Sequence, residues 1–263
     1  MPTFLETVVE RTQADVAARK LRVPATELEG RLGPAPRGRP FSEGLIDEGI
    51  SLIAEMKRAS PSKGPIRPGA SVTEVVRAYQ EAGARAVSVL TEGAYFGGSL
   101  DDLVEARGAC DLPLLRKDFV VDEYQLFEAV VAGADAVLLI VSALPPATLT
   151  RLHAAATALG LAVLVEVHDD AELDIALAAG ARIVGVNNRD LRTLAVDTRV
   201  SERLAARMPA EVIAVSESGL RGPDDVARMQ ALGYRAFLIG ERLMTSDDPA
   251  RDLRHLTGAE AAA

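Results

Sequence analysis

The sequence has 263 residues, of which 48% are apolar, and this is enough for one large hydrophobic core. No apolar run reaches the roughly 18 residues that a membrane span requires, and a net charge of −9 argues against general nucleic-acid binding. Cys110 is the only cysteine, and the start Met1–Glu6 lacks the basic and apolar segments of a signal peptide. These features predict a cytoplasmic location.

The first 47 residues precede any repeating pattern and are predicted to form a helical extension. Apolar residues between 4 and 16 are spaced as on one face of a helix, and Thr26 and Glu29 fit a capping box. A further short helix is predicted after Ser42. Prolines and glycines interrupt residues 22–40, where the arginines at 31, 37 and 39 are interpreted as solvated.

From residue 51 onward the sequence alternates short aliphatic strands with amphipathic helices. Eight strands are predicted, with starts 21 to 35 residues apart, which is the length of one βα unit. Their ranges are 51–57, 86–92, 113–119, 136–142, 162–168, 183–189, 212–218 and 236–240. Eight such units predict an α/β protein with a (β/α)8 TIM barrel, whereas an open dinucleotide-binding sheet is disfavoured because no GxGxxG follows the first strand.

The predicted organisation is a single domain. Residues 1–47 form the helical extension, which is expected to cover one end of the barrel. Residues 48–263 form the catalytic (β/α)8 barrel, with the closed sheet expected within 51–245.

Polar residues interrupt the aliphatic strands at their carboxyl ends, where barrels of this type carry their active sites. Glu55 and Lys57 end strand one, Lys117 ends strand three, Glu166 ends strand five and Asn187 ends strand six. A single strand-end Lys–Glu pair is more often a structural ion pair. Because several such residues share one end, an active site explains the group better.

The use of lysine in this sequence is selective. Arginine supplies 25 of the 29 basic residues, whereas Lys57, Lys63 and Lys117 all lie at predicted strand ends or in the loop just beyond. A lysine can be tuned by burial to release its proton, whereas arginine stays protonated. This distribution predicts that lysines act as acids.

The loops after the last two strands predict a phosphate site. Ser218-Gly219 and Gly240-Glu241 each precede a predicted helix start, and glycine lets the backbone approach an anion closely. Either turn alone would be ordinary, but together they lie at the corner where such barrels commonly bind phosphate. No His/Cys cluster indicates a metal and no dinucleotide fingerprint indicates a cofactor, so neither is predicted, and no GxSxG nucleophile motif is present.

Five segments together resemble the indole-3-glycerol-phosphate synthase family, in order and at matching spacing. They are Ile53–Gly64, Leu114–Phe119, Val165–His168, Asn187–Leu191 and Glu217–Gly219. The resemblance extends over residues 1–258 and includes the helical extension. It implies a carboxy-lyase of tryptophan biosynthesis, which closes the indole ring of 1-(2-carboxyphenylamino)-1-deoxyribulose 5-phosphate with loss of CO2 and water.

The resemblance also implies catalytic roles for individual residues. Lys117 matches the general acid of ring closure, Glu166 matches the base of dehydration, and Lys57 matches a second acid. Glu55 would hold Lys57 in its charged form, and Asn187 would hydrogen-bond the sugar hydroxyls.

The remaining contacts implied by the family pattern concern substrate binding. They are expected from Arg189, Ser218, Gly219, Gly240, Phe119 and Ser60. Glu241 is expected to point away from the phosphate, because a carboxylate would repel it. The predicted substrate is a phosphorylated small molecule, and the predicted enzyme is a monomer that binds neither nucleic acid nor membranes.

Two other functions fit the fold. A phosphosugar isomerase would rely on paired acids and would not need two strand-end lysines. A non-catalytic binding barrel would be expected to have lost Lys57, Lys117 or Glu166, and all three are present.

Overall fold

A computed structural model describes residues 2–32 and 40–259. Eight parallel strands close into a barrel in chain order, with strand one paired to both strand two and strand eight. Strands one to eight are Ser51–Met56, Ala86–Leu90, Leu114–Lys117, Ala136–Ile140, Ala162–Val167, Ile183–Asn187, Ile213–Glu217 and Ala236–Ile239. The predicted (β/α)8 fold is confirmed, and each predicted strand contains an observed one.

The described residues form twelve α-helices, three of them before the barrel. The helices before the barrel are α1 (Phe4–Arg22), α2 (Ala25–Arg31) and α3 (Phe41–Leu45). The others are α4 (Val72–Glu81), α5 (Leu100–Ala109), α6 (Glu123–Val131), α7 (Pro146–Ala158), α8 (Asp170–Ala178), α9 (Arg199–Ala205), α10 (Pro223–Ala231), α11 (Glu241–Thr245) and α12 (Pro249–Thr257). Within the described ranges, no helix combines the length and apolar character that crossing a membrane demands.

Side chains alternate between two hydrophobic cores along each strand. Leu52 and Ala54 of strand one face the surrounding helices, whereas Ile53 faces the barrel interior. Leu115 on strand three and Leu164 on strand five also face the interior. Since strand residues two apart share a face, the residues two positions beyond these also face the barrel interior, closer to the carboxyl ends of the strands.

The extension is divided between both ends of the barrel, whereas the sequence analysis predicted that it covers one end. Phe4 of α1 packs edge-on against Tyr95, in the loop after strand two, with ring centroids 5.0 Å apart. In α3, the Gly44 carbonyl accepts a hydrogen bond from Ser51 Oγ, at the start of strand one. Thus α1 lies at the carboxyl ends of the strands, and α3 closes the amino ends.

The helix cap predicted in the extension differs from the observed one. The capping box predicted at Thr26 and Glu29 is wrong, because α2 begins after Pro24 without a side-chain cap. A capping box is formed by Thr3 and Glu6 at the start of α1. The described residues leave out Met1, 33–39 and 260–263. Two of the three arginines that were interpreted as solvated, at 37 and 39, lie in the second of these ranges. The domain boundary at 47/48 stays a prediction.

A buried charge network joins the extension to the strand that carries Lys117. The neighbouring Arg116 is 1% exposed, and its Nη2 lies 3.0 Å from Asp118 Oδ2 and 3.3 Å from Glu128 Oε2. Arg19 of α1 donates from Nε to Glu128 Oε1 at 2.6 Å. Glu128 therefore lies between two guanidinium groups and links α1 to strand three.

The substitution Glu128→Gln should lower the free energy of unfolding by about 3 kcal/mol, because Arg116 would stay buried with only one carboxylate. A matched control is Asp15→Asn, since the pair of Asp15 with Arg11 is more than half exposed and should change stability by less than about 1 kcal/mol. Urea unfolding measures both variants. Equal, small effects of the two substitutions would show that Glu128 does not anchor the extension.

Candidate active site

Five predicted site residues lie together at the carboxyl end of the barrel, where the two-residue alternation of the strands places several of them. Glu55 follows Ile53, Lys117 follows Leu115 and Glu166 follows Leu164, each two residues beyond an interior aliphatic side chain. Lys57, just after strand one, and Asn187, the last residue of strand six, join them around the same cavity.

The centre of this layer is an ion-pair cluster around Lys117. Lys117 Nζ donates to Glu166 Oε2 at 3.0 Å and lies 3.4 Å from Glu217 Oε2. Both carboxylates are almost fully buried. On the other side, His168 Nε2 lies 3.3 Å from Glu166 Oε1. The cluster therefore places an ammonium between two carboxyl groups at the base of the cavity.

Burial and neighbouring charge separate the protonation states of these groups. Burial alone would lower the pKa of Lys117, but Glu166 and Glu217 outweigh burial and raise that pKa above its usual value. Burial alone would raise the pKa of Glu166, but Lys117 and His168 hold it well below its usual range. Burial raises the pKa of Glu217 to about 8, against the attraction of Lys117. The cluster thus favours a charged Lys117 beside an ionised Glu166, whereas burial favours the protonated form of Glu217.

Glu217 is the site residue that the sequence analysis did not single out. It ends strand seven two residues beyond Val215, which faces the barrel interior. The same period-two rule that selected Glu55 and Glu166 applies to it. In the sequence analysis, the adjacent Ser218-Gly219 pair was interpreted as part of a phosphate site. The position of Glu217 on its strand would have been enough to predict that it faces the same cavity.

Glu55 and Lys57 form the second lysine–carboxylate pair of the cavity. Lys57 Nζ donates to Glu55 Oε1 at 2.6 Å, so the predicted contact between them is present. Gly240 leaves the space that Glu55 occupies, because a Cβ at Gly240 would lie 2.3 Å from Glu55 Oε1. The glycine at the end of strand eight is thus needed for packing of the carboxylate as well as for the predicted phosphate site.

These residues line a cavity of about 440 Å³, which is within the range of small-molecule sites. Its polar floor is the lysine–carboxylate layer. Its walls are mostly apolar and include Phe4, Phe96, Phe119, Leu138, Ile140, Leu191, Leu194, Val196 and Leu220. Phe119, a predicted substrate contact, is buried and lies 6.4 Å from Phe96 between ring centroids. The cavity therefore offers an apolar surface for an aromatic ring beside a charged floor.

The predicted phosphate residues Ser218, Gly219 and Gly240 lie together on this cavity. Ser218 and Gly219 both have positive φ, at 65° and 79°, which is uncommon for a serine. Asn188 stabilises this turn, since its Nδ2 donates to the carbonyls of Glu217 and Ser218 at 3.1 and 3.0 Å. The turn is therefore held in a defined conformation before any anion binds.

The predicted contacts Arg189 and Ser60 also border the cavity. Arg189 donates to the Leu194 carbonyl at 2.9 Å, and its Nη2 lies 3.6 Å from Glu241 Oε2. Glu241, which was expected to point away, borders the cavity with its other oxygen 3.4 Å from Lys63 Nζ. Two cations therefore compensate the charge of Glu241 at the predicted phosphate end.

Within the described residues, no group of three or more His, Cys, Asp or Glu side chains is arranged to hold a metal ion.

Comparison with known proteins identifies the family. The family profile described as indole-3-glycerol phosphate synthase matches residues 5–256. The chain belongs to the indole-3-glycerol phosphate synthase family. The sequence prediction of a carboxy-lyase of tryptophan biosynthesis is confirmed by this membership.

Relatives in this family match the chain along nearly its whole length. Indole-3-glycerol phosphate synthase 2 of Streptomyces coelicolor is 47% identical over 258 residues, which cover 98% of this chain and 100% of that protein. Indole-3-glycerol phosphate synthase of Mycobacterium ulcerans is 46% identical over 257 residues, which cover 98% of this chain and 94% of that protein.

Among solved structures, the chain is similar to a thiamine phosphate pyrophosphorylase from Pyrococcus furiosus. The TM-score is 0.61 at 17% identity, covering 81% of this chain and 96% of the other. At this identity the likeness supports the barrel fold alone.

The positive φ of Gly219 allows a test of whether phosphate binds at this turn. We expect Gly219→Asp to weaken binding of inorganic phosphate at least about tenfold more than Gly219→Ala does, because both variants strain a left-handed residue but only aspartate adds a repelling charge. Isothermal titration with inorganic phosphate gives the two Kd values. If both variants bound phosphate alike, the anion would have to bind elsewhere.

Proposed function

We propose that the cavity binds 1-(2-carboxyphenylamino)-1-deoxyribulose 5-phosphate and converts it to indole-3-glycerol phosphate, with loss of CO2 and water. Family membership supports the reaction. The observation that carries the proposal is the contact of Lys117 with Glu166 on the floor of a cavity with apolar walls. An acid and a base thus lie side by side where an aromatic substrate can reach both.

Lys117 is the proposed acid of ring closure. As the aromatic carbon attacks the ketone, negative charge develops on the ketone oxygen, and a positioned ammonium can protonate it. The carboxylates around Lys117 keep it charged between turnovers, so the acid is ready when substrate enters. Release of CO2 then restores aromaticity of the six-membered ring without a further base.

Glu166 and Lys57 are the proposed base and acid of the dehydration. Glu166 takes a proton from the ring-closed intermediate, and Lys57, held by Glu55 at 2.6 Å, protonates the departing hydroxyl. Glu166 can return its proton to Lys117 across their 3.0 Å contact, which resets the first acid. In one turnover, Lys117 and Lys57 each donate a proton and Glu166 accepts one. One proton must therefore enter from solvent, which matches the replacement of a carboxylate by neutral CO2.

The proposed orientation of the substrate follows from the two ends of the cavity. The phosphate binds at Ser218, Gly219 and Gly240, where backbone N–H groups can approach it. The aryl ring contacts the apolar wall that includes Phe119. Asn187 hydrogen-bonds the sugar hydroxyls between these ends, and Arg189 and Ser60 supply further polar contacts.

Several sequence predictions remain as proposals beside this function. A phosphorylated small molecule is the substrate class that fits the family. That the enzyme acts as a cytoplasmic monomer, without metal, cofactor, nucleic acid or membrane, stays a prediction.

A turnover assay tests the function. The purified protein, in excess chelator and without added cofactor, should convert the carboxyphenylamino-deoxyribulose phosphate with a rise in indole fluorescence. Glu166→Gln should lower kcat by about 10²–10⁴-fold, since it keeps the shape but removes the base. The matched control Glu81→Gln alters an exposed carboxylate at the end of α4 and should leave turnover unchanged. Absence of turnover by the unchanged protein would refute the proposed function.

A further inference from the structure

His168 lies between two cavities at the carboxyl end of strand five. Glu166 lines the substrate cavity, whereas His168 and Glu172 line a neighbouring cavity of about 620 Å³. Asn187 borders both. The imidazole is therefore placed behind the proposed base, on the side away from Lys117.

The contacts of His168 are directed at two carboxylates. Its Nε2 lies 3.3 Å from Glu166 Oε1, and its Nδ1 lies 2.9 Å from Glu172 Oε2. Glu166 Oε1 and His168 Nε2 are both buried, and neither makes a hydrogen bond within the described residues, so their 3.3 Å approach is an ion-pair contact. The imidazole thus brings a charge to this buried oxygen, and Asn187 also stabilises the ionised form of Glu166.

The surroundings favour the charged imidazole. Burial alone would lower the pKa of His168, but Glu166 and Glu172 outweigh burial and raise that pKa to about 10. Other ionisable groups lie nearby on neighbouring elements. Lys117 lies on the far side of Glu166, and the second cavity is also lined by Glu6, Asp169, Asp190, Arg192, Asp197 and Arg203. His168 is thus an imidazolium at neutral pH.

We propose that His168 is a positioning residue, which holds the Oε1 oxygen of Glu166 and keeps this carboxylate ionised and directed into the substrate cavity. The inference rests on the base role proposed for Glu166. The two oxygens of Glu166 then face two different cations, Lys117 at Oε2 and His168 at Oε1. Without the imidazolium, Oε1 would be buried uncompensated, and the carboxylate would bind a proton more readily.

A purely structural role for His168 predicts a different result. The His168 backbone N–H donates to Glu172 Oε2 at 2.8 Å, which holds the first turn of α8 against the end of strand five. On the side of residue 168 that contact uses only the backbone N–H, so it remains possible when His168 is replaced by glutamine. A change in the protonation of Glu166 therefore separates the proposed role from a role in holding α8.

The first experiment measures Glu166 directly. The titration of its side-chain carboxyl carbon is followed by NMR with ¹³C-labelled glutamate, and the signal is assigned by its loss in Glu166→Gln. We expect His168→Gln to raise the pKa of the Glu166 carboxyl, whereas the control His153→Gln, on the partly exposed face of α7, should leave it unchanged. An unchanged Glu166 pKa in His168→Gln would overturn the proposal, whether or not the protein turns over substrate.

The second experiment uses the turnover assay. His168→Gln should lower kcat at neutral pH by about tenfold, a part of the usual contribution of a general base, with KM changed less than about threefold. Since Glu166 must be ionised to act, its raised pKa should move the acidic limb of kcat/KM to higher pH.

Glu172→Gln keeps an acceptor for the backbone N–H but removes one of the charges that hold the imidazolium. Its effect on the pH profile should be smaller than that of His168→Gln and in the same direction. The double variant should be no worse than His168→Gln alone, because both act through one imidazole. Additive losses, or a lower kcat with an unchanged pH profile, would contradict the positioning role. Loss of turnover in the unchanged protein, with the Glu166 pKa still dependent on His168, would refute only the proposed function.

Discussion

The buried ammonium of Lys117 is the interaction on which the rest of the site depends. It lies 3.0 Å from Glu166 and 3.4 Å from Glu217, and an unpaired charge in such a layer would cost several kcal/mol. The closed barrel brings the three side chains into contact because each stands two residues beyond an interior aliphatic residue on its own strand. Mutual compensation thus lets one small volume hold a charged lysine and an ionised carboxylate, the acid and the base that we propose for ring closure and dehydration.

The surroundings of this cluster give the cavity a charged floor and apolar walls. Aliphatic side chains below it keep the floor of the barrel packed, and aromatic and aliphatic walls above it suit an aryl ring. At the rim, Glu241 is paired with Lys63 and Arg189. Behind strand five, His168 continues the same alternation of charge from Glu166 to Glu172. Charges therefore alternate from Lys117 through Glu166 and His168 to Glu172, and we expect a change in one of these residues to alter the protonation of its neighbours.

Local periodicity was sufficient to predict most of this arrangement. The period-two pattern and the spacing of the βα units located all eight strands, and the position of active sites in this fold brought Lys117, Glu166 and Asn187 together. The division of the extension between both barrel ends was not predictable, because it depends on which distant surfaces Phe4 and Gly44 contact. The environment of His168 was missed for the same reason: its partner Glu172 lies on the following helix. Glu217, in contrast, obeyed the pattern and was overlooked beside a more conspicuous turn.

Replacement of Lys117 by arginine is the most direct test of the central claim that this ammonium donates a proton. Arginine keeps the charge and much of the length, but it releases its proton far too reluctantly to serve as an acid. Lys117→Arg should fold and bind a reduced, unreactive substrate analogue, yet its single-turnover rate of indole formation should fall about 10²–10⁴-fold. Lys20→Arg, at a half-exposed pair with Asp122, is the matched control and should react normally. Near-normal turnover by Lys117→Arg would show that the lysine serves only as an ion-pair partner.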